Sequence, residues 1–166
     1  MNKKSAIIIG SSRSMGNTRV IVDYYMNINK DTTLFDLNNY QIGYYDYDFK
    51  NATDDFMDLY INLLEYDTLI FATPIYWYTM SAQMKTFFDR ISDMLHGENK
   101  PLGRLLRGKN MAAISCGSDS KIFEGFDMPF RESANYLGMY YEGHIHTWLE
   151  ANGSISNQVK NIIKTF

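Results

Sequence analysis

A cluster of hydroxyl, guanidinium and amide groups follows the first apolar run of the chain. Residues 7–9 are three isoleucines, residues 10–18 read Gly-Ser-Ser-Arg-Ser-Met-Gly-Asn-Thr, and an amphipathic helical pattern begins near Asn17. Hydroxyls, an arginine and the free N–H groups of a helix N-terminus are donors that proteins use to bind phosphate. We predict an anion site here, with an ordinary serine-rich turn as the alternative. Its candidate ligands are Ser11, Arg13, Gly16, Asn17 and Thr18.

Two better-known phosphate motifs are excluded by the glycine spacing of this loop. Gly10 and Gly16 do not match the G-x-G-x-x-G pattern of dinucleotide-binding loops. No Gly-Lys-Ser or Gly-Lys-Thr follows, so the loop is not that of a nucleoside triphosphatase.

A second loop whose side chains could bind a ligand follows the apolar run at residues 68–72. Proline stiffens the chain there, and large flat side chains come directly after it. A flat aromatic ligand can pack against such side chains while backbone N–H groups reach its polar rim. The alternatives are burial under the loop or a place in a dimer interface. The candidate residues are Pro74, Ile75, Tyr76, Trp77 and Tyr78.

The third loop, Ser115-Cys116-Gly117, is short and small enough for its backbone to approach a ligand closely. A simple turn is the alternative. Cys116 is the one cysteine of the chain, so no internal disulfide can form. We favour packing of Cys116 as a small buried apolar group over redox activity.

Five short apolar runs alternate with amphipathic helical stretches along the chain. This pattern predicts an α/β fold with a parallel sheet covered by helices on both faces, in one domain of residues 1–166. In a doubly wound sheet, ligands bind at the carboxyl ends of the strands, so the three loops should meet at one edge. The predicted strands are residues 5–9, 33–37, 68–72, 111–115 and 139–147. The third helix should start at a Ser81 cap and end at Gly97, a fourth should cover residues 129–137, and Ser154 should cap the last.

Composition and charge exclude several function classes. The net charge of −3 indicates no nucleic-acid partner. No apolar run reaches transmembrane length, and the first one is too short for a signal peptide. A single cysteine suits a reducing compartment, so we expect a cytoplasmic protein.

A phosphate site, an aromatic slot and a closely approaching loop at one edge suit flavin mononucleotide (FMN). The motifs at residues 10–18, 73–77 and 81–90 together resemble the NAD(P)H-dependent FMN reductases of the flavodoxin-like superfamily. The resemblance implies a flavodoxin-like doubly wound sheet of five parallel strands in the order 2-1-3-4-5. It also implies FMN as cofactor, NAD(P)H as electron donor and a homodimer.

The resemblance also implies a role for each loop. In that family the first loop wraps the FMN phosphate, the second borders the isoalloxazine ring and the third approaches its pyrimidine edge. The iron-sulfur flavoproteins are the most similar in motif, but residues 40–47 contain none of the cysteines that would ligate their cluster. We therefore predict flavin without an iron-sulfur cluster and without another metal. The third loop also has one glycine where many members have two. The matching residues are Ser11, Arg13, Gly16, Asn17, Thr18, Pro74, Ile75, Tyr76, Trp77, Tyr78, Ser115, Cys116 and Gly117.

We predict an enzyme that passes electrons from NAD(P)H through bound FMN to a quinone, azo, nitro or flavin acceptor. The flavin carries the chemistry, so no catalytic side chain is assigned. Two alternatives remain open: a flavodoxin-type electron carrier without nicotinamide turnover, and a flavin-free binding module on the same fold.

Three other features are assigned no chemistry. His144 and His146 share a strand face, but no third metal ligand is evident, so structural or surface roles are favoured. Asp89 and Arg90 are expected to form a surface or interface pair. The tyrosine-rich segment 40–47 either covers the ring or packs on a partner subunit.

Overall fold

The computed structural model describes residues 4–166, so residues 1–3 of the predicted domain lie outside the described part. Five parallel strands form one sheet in the order β2-β1-β3-β4-β5, which confirms the predicted topology. The strands are β1 (Ser5–Ile9), β2 (Thr32–Asp36), β3 (Thr68–Pro74), β4 (Asn110–Gly117) and β5 (Tyr140–Trp148). The helices are α1 (Asn17–Ile28), α2 (Phe56–Leu63), α3 (Ala82–Arg90), α4 (Lys100–Gly103), α5 (Met128–Leu137) and α6 (Asn157–Lys164).

Strand β1 shows how the sheet separates two cores. Ala6 and Ile8 pack into a buried cluster with residues of α2, α3 and α5. Ile7 and Ile9 pack into a second cluster with residues of α1 and α6. Successive side chains of a strand point to opposite faces, so an all-apolar strand needs cover on both. Helices therefore cover both faces of the sheet, as predicted.

The carboxyl ends of β1, β3 and β4 lie side by side. Ile9 is opposite Ala72 on β3, and Pro74 is opposite Cys116 on β4. The chain passes from β1 to β2 on one side and returns to β3 on the other, so the strand order reverses beside β1. At such a switch point the loops diverge and leave a crevice, which is where open α/β sheets bind ligands.

The last helix begins two residues later than predicted. Ser156 caps α6 by accepting a hydrogen bond from Val159 N at 3.2 Å, so the predicted Ser154 cap is wrong. Ser154 lies instead in the preceding turn, where its N–H donates to Asn152 Oδ1 at 3.0 Å. Both serines satisfy the simple sequence rule for a cap, and only the turn geometry separates them.

The third helix starts where predicted and ends earlier. Ser81 Oγ accepts a hydrogen bond from Met84 N at 3.1 Å, which confirms the cap. The α-helix ends at Arg90 and continues as a 3₁₀ helix over Ile91–Met94, ahead of Gly97. The apolar stripe persists because a 3₁₀ turn places residues three apart on one side. The polar connection at residues 97–108 contains α4 and two short 3₁₀ helices.

None of the helices in residues 4–166 has the length and apolar character needed to cross a bilayer.

Candidate functional site

Direct contacts join the three predicted loops at the carboxyl edge of the sheet. The Ser12 and Tyr76 hydroxyls lie 2.9 Å apart and link the first loop to the second. Ile75 N donates to Cys116 O at 3.0 Å and links the second loop to the third. The expectation that these loops meet at one edge is therefore correct.

The first loop presents an uncapped helix N-terminus. Gly16 occupies the position before α1 in an extended conformation, and no side chain caps the helix there. The first N–H groups of a helix have no partner within it, so they are open to an external acceptor. Arg13 and Asn17 are exposed beside this terminus. This donor set fits a phosphate group, for which the helix dipole adds about 0.3–1 kcal/mol.

Two of the predicted phosphate ligands turn their side chains inward. Ser11 is 4% exposed, and its Oγ accepts a weak hydrogen bond from Arg13 N at 3.4 Å. Thr18 is 2% exposed, and its hydroxyl lies beside the thiol of Cys116. The Ser11 and Thr18 side chains therefore shape and anchor the loop.

Residues from outside the first loop hold it in place. Asn38 Nδ2 donates to Ser11 O at 2.8 Å, and Ser81 Oγ donates to Gly10 O at 2.7 Å. Gly10 itself packs on α3, since an added Cβ would lie 3.0 Å from the Met84 backbone N. Sequence reasoning identified Ser81 only as a helix cap and missed Asn38, whose one signal is its position just after β2.

The second loop closes in a two-residue hairpin turn. Tyr76 and Thr79 exchange backbone hydrogen bonds of 3.0 and 3.2 Å, and Trp77 and Tyr78 lie between them. Their φ angles are +49° and +69°, the left-handed values of a type I′ turn, where Asn-Gly is the usual pair. A bulky residue in this region stores on the order of 1–3 kcal/mol of strain. The turn leaves Trp77 91% exposed and Tyr78 64% exposed.

A cleft of about 270 Å³ separates the second loop from the third. Trp77 and Tyr78 line one side, and Gly117 and Ser118 contribute to its lining from the third loop. Phe123 contacts Tyr78 edge to face, with ring centroids 4.9 Å apart. This size and lining suit a flat ring system. Sequence reasoning missed Phe123, because it lies in an irregular loop without a motif.

The third loop starts from a buried hydrogen-bonded group. Ser115 is fully buried, and its Oγ lies 2.8 Å from His146 Nδ1 and 2.7 Å from His144 Nε2. His146 Nε2 lies 2.8 Å from Asp119 O in the loop itself. Burial lowers the pKa of His144 to about 4, so this ring is neutral at neutral pH. The two histidines are structural, as favoured from the sequence.

Cys116 points away from the cleft. It is 5% exposed and packs in the core beneath α1. Burial raises the pKa of its thiol to about 11, against smaller opposing hydrogen bonds from Thr147 and Thr18. The thiol therefore stays protonated at neutral pH, in agreement with the packing role favoured from the sequence.

Arg90 is buried, so the predicted surface pair with Asp89 is wrong. The Arg90 guanidinium is 3% exposed and pairs with Asp54 at 2.5 Å and with Asp93 at 2.7 Å. It also donates to the carbonyls of Gly43 and Asn51 at 3.0 and 3.1 Å. Neighbours in a helix point about 100° apart, so Arg90 faces the core while Asp89 faces solvent.

Arg90 thereby holds residues 40–55, which begin with the tyrosine-rich segment 40–47, against α3. Burial opposes ionisation of Asp54, but hydrogen bonds from Arg90 and from two backbone N–H groups outweigh it and lower its pKa. Tyr44 and Tyr47 remain 77% and 86% exposed at the tip of the segment. Within residues 4–166, no three His, Cys, Asp or Glu side chains are grouped to hold a metal ion.

Comparison with known proteins agrees with this geometry. Residues 4–152 match the family model described as NADPH-dependent FMN reductase. YwqN of Bacillus subtilis (strain 168), named as an NAD(P)H-dependent FMN-containing oxidoreductase, is 30% identical over 155 residues, 86% of this chain and 83% of the relative.

Solved structures share the same architecture. The Trp repressor binding protein of Bacillus subtilis has a TM-score of 0.76 at 26% identity, over 96% of this chain and 95% of that one. An FMN-dependent NADH-azoreductase of Bacillus anthracis, solved with FMN, has a TM-score of 0.68 at 9% identity, over 98% and 95% of the two chains. The second likeness concerns the fold alone. With the family model matched over most of the chain, these findings establish that the protein belongs to the NADPH-dependent FMN reductase family, an oxidoreductase family, as the sequence motifs predicted.

Proposed function

We propose that this chain binds FMN at the carboxyl edge of its sheet and transfers electrons from NAD(P)H to a small, flat, conjugated acceptor. The observation that carries the proposal is the uncapped N-terminus of α1, joined through Ser12 and Tyr76 to an exposed aromatic turn. FMN, when bound, would accept hydride from nicotinamide and pass the electrons on to the acceptor.

The first loop would bind the phosphate mainly through its backbone. The side chains of Ser11 and Thr18 are buried, so these residues can bind the phosphate only through their backbone N–H groups. The N–H groups of Gly16 and Asn17 are further backbone donors, and Arg13 is the exposed cation. A charge-assisted hydrogen bond contributes about 1.5–3 kcal/mol, so Arg13 is the single side chain with the most influence on phosphate affinity.

The second and third loops would hold the ring. The segment from Pro74 to Tyr78 supplies flat apolar surface on one side of the cleft. The backbone of Ser115, Cys116 and Gly117 leads into the other side. The Ser115 hydroxyl and the Cys116 thiol are turned inward, so this loop can offer a ligand its backbone but not those two side-chain groups.

The lining of the same cleft supports the proposed acceptor class, since an acceptor must reach the ring held there. Its walls are aromatic and backbone surfaces, with Lys121 and Asp119 as the charged residues beside them. A flat conjugated molecule stacks on such surfaces without a dedicated side-chain ligand. Quinones, azo compounds, nitroarenes and free flavins all meet that description.

Binding of FMN and of riboflavin to the flavin-free protein tests the site, because riboflavin lacks only the phosphate. Arg13→Ala should weaken FMN binding by about 10- to 100-fold and leave riboflavin binding unchanged. Arg131→Ala is the matched control, since Arg131 is an exposed arginine on α5 paired with Asp127. Loss of affinity for both ligands alike in Arg13→Ala would contradict the phosphate assignment.

Anaerobic addition of NADH or NADPH to the FMN-loaded protein tests the reaction. Bleaching of the flavin absorbance, followed by its return on adding a benzoquinone, azo dye, nitroarene or free flavin, is the expected result. A band that persists identifies an electron carrier without nicotinamide turnover. Failure to take up FMN at all identifies a flavin-free binding module.

A homodimer is the assembly we propose, with the exposed aromatic side chains of this edge near the partner. Trp77, Tyr44 and Tyr47 are among the most exposed large side chains of the described chain. Light scattering during size-exclusion chromatography should give twice the chain mass of 19.3 kDa. A monomer at micromolar concentration would contradict this assembly.

A further inference from the structure

Two histidines, the half-buried His144 and the buried His146, lie under the third loop and outside the lining of the cleft. His144 and His146 are on β5, beside β4, where His146 is opposite Ser115. His146 is 5% exposed, and the cleft is lined by other residues. A polar pair placed so close to a ligand-binding loop needs a structural reason, since burying polar groups is unfavourable unless they are hydrogen-bonded.

The hydrogen bonds of this group run in one direction. The Asp119 carbonyl can only accept, so His146 Nε2 carries a proton and donates to it at 2.8 Å. In a neutral ring His146 Nδ1 is then an acceptor, and the Ser115 hydroxyl donates to it at 2.8 Å. The same hydroxyl oxygen accepts from His144 Nε2–H at 2.7 Å. Every proton of the chain His144–Ser115–His146–Asp119 is thereby assigned.

The contacts select the His146 tautomer that carries its proton on Nε2, since the other tautomer would leave Asp119 O without a donor and give the Ser115 hydroxyl a second one. Burial lowers the pKa of His144 to about 4, so this ring is neutral at neutral pH. The chain ends in a carbonyl, which does not take up a proton at neutral pH. The hydrogen-bonded chain therefore orients the His146 ring and the third loop, and does not transfer a proton.

A second contact fixes the loop on the same ring. A Cβ added to Gly117 would lie 2.7 Å from His146 Cε1, so the backbone at Gly117 lies directly on the imidazole. The space left by the missing side chain of Gly117 is therefore filled by His146. The imidazole is also restrained by Trp148, whose ring stacks on it with centroids 5.9 Å apart.

We infer that His146 is a positioning residue for the bound cofactor. Through Asp119 O and Gly117 it fixes the backbone that lines the cleft opposite Trp77, and Ser115 and His144 fix its tautomer. This role rests on the proposed function, in which the third loop borders the flavin ring. His146 itself touches neither ring nor phosphate, so its influence should reach FMN and riboflavin equally.

The test compares His146→Leu with His146→Gln in the full-length protein. Leucine removes both hydrogen bonds, whereas the glutamine amide N–H can still donate to Asp119 O. We expect His146→Leu to weaken FMN and riboflavin binding by the same factor, on the order of tenfold, and to shift the visible absorption band of the bound flavin. His146→Gln should recover most of the affinity and the band position. His96→Leu is the matched control, because His96 follows α3 far along the chain from this loop.

Amide hydrogen exchange of the flavin-free protein gives a readout that does not depend on the cofactor. Residues 117–121 should exchange faster in His146→Leu than in the wild type, while β1 and β3 keep their protection. Ser115→Ala provides a milder variant in case leucine prevents folding, and should weaken both ligands by about threefold.

The possible outcomes separate the two proposals. Unchanged flavin affinity and unchanged exchange at residues 117–121 in His146→Leu would overturn the positioning role and leave the proposed function intact. Faster exchange with unchanged affinity would also overturn it, because the loop would then be ordered by His146 without bearing on the flavin. A wild-type protein that binds neither FMN nor riboflavin would overturn the proposed function, and this role with it.

Discussion

Two walls at the carboxyl edge of the sheet, residues 40–55 after β2 and the turn after β3, are built in opposite ways. Residues 40–55 are held by the buried Arg90, which contacts two carboxylates and two backbone carbonyls. The turn at Trp77 and Tyr78 is closed by two backbone hydrogen bonds around two residues with positive φ. One wall is fixed by a buried ionic network, and the other is strained and largely exposed.

The difference shows where the preference of bulky residues for negative φ has been overridden. Among the described residues, positive φ occurs outside glycine at Phe49, Trp77 and Tyr78, all in these two walls. Elsewhere it falls on glycines, such as Gly138 at the end of α5. Strained, bulky residues persist where surrounding structure fixes them and tend to cluster at functional sites. We therefore propose that the aromatic surface at Trp77 and Tyr78 is retained for binding and not for stability.

The largest expected effect comes from breaking the ionic wall. Arg90→Met should lower the free energy of unfolding by about 3–5 kcal/mol, because the buried Asp93 and the largely shielded Asp54 would lose their cation. Urea denaturation measures the change. Addition of Asp54→Asn to this variant should restore part of the loss, since it removes one uncompensated charge. A loss below 1 kcal/mol in Arg90→Met would show that the network is dispensable.

The next effect concerns the histidines under the third loop and depends on pH. Burial lowers the pKa of His144 to about 4, while the nearby Asp127 charge opposes the shift. Between pH 6.5 and 4 the unfolded chain therefore binds a proton at His144 that the folded chain does not. The free energy of unfolding should fall by up to about 3 kcal/mol as the pH drops through this window.

Replacement of His144 separates its contribution from that of the carboxylates. His144→Gln keeps an N–H donor for Ser115 and does not titrate, so its stability should vary less between pH 6.5 and 4. The pKa of Asp54 is lowered from its usual value of 3.8, so the stability that Asp54 contributes is lost only below about that pH. Both proteins should therefore still lose stability below pH 4. Urea unfolding at a series of pH values gives both curves, and identical slopes above pH 4 would contradict the His144 assignment.

The strained wall should respond in the opposite sense to the ionic one. Trp77→Asn combined with Tyr78→Gly supplies the pair that a type I′ turn prefers and should raise the free energy of unfolding by about 1–3 kcal/mol. Riboflavin affinity should fall, because the cleft loses two aromatic surfaces. Gly138→Ala is the matched control, since it places a side chain at φ +71° and should destabilise by about 1–2 kcal/mol. A double variant less stable than the wild type would refute the strain.

The fold was predictable because its determinants are local. The all-apolar strands, amphipathic helices and the Ser81 cap each occupy a few consecutive residues, and the parallel sheet then brings the loops to one edge. The family motifs lie in those same loops. One error is also local, since the choice between Ser154 and Ser156 as a cap depends on a turn that the residue pattern does not specify.

The supports of the site were not predictable, because they join residues distant in sequence. Arg90 is hydrogen-bonded to Asp54 across 36 residues of sequence. The hydrogen bonds from Asn38 to Ser11 and from His146 to Asp119 each span 27 residues. No periodicity or motif encodes such pairs. The side chains of Thr18 and Ser115 point inward for the same reason, since packing between elements distant in sequence sets their direction.

The smallest expected effect comes from the residue beside Arg90. Asp89 is 44% exposed and pairs with Lys85 one turn earlier, at 2.6 Å. Exposed pairs of this spacing contribute about 0.3–0.5 kcal/mol, so Asp89→Ala should change the free energy of unfolding by less than about 0.5 kcal/mol. Measured beside Arg90→Met under the same urea conditions, it compares an exposed charged residue that has one partner with its buried neighbour, which has several. A loss in Asp89→Ala comparable to that of Arg90→Met would mean that both belong to one network, and that burial does not separate their contributions.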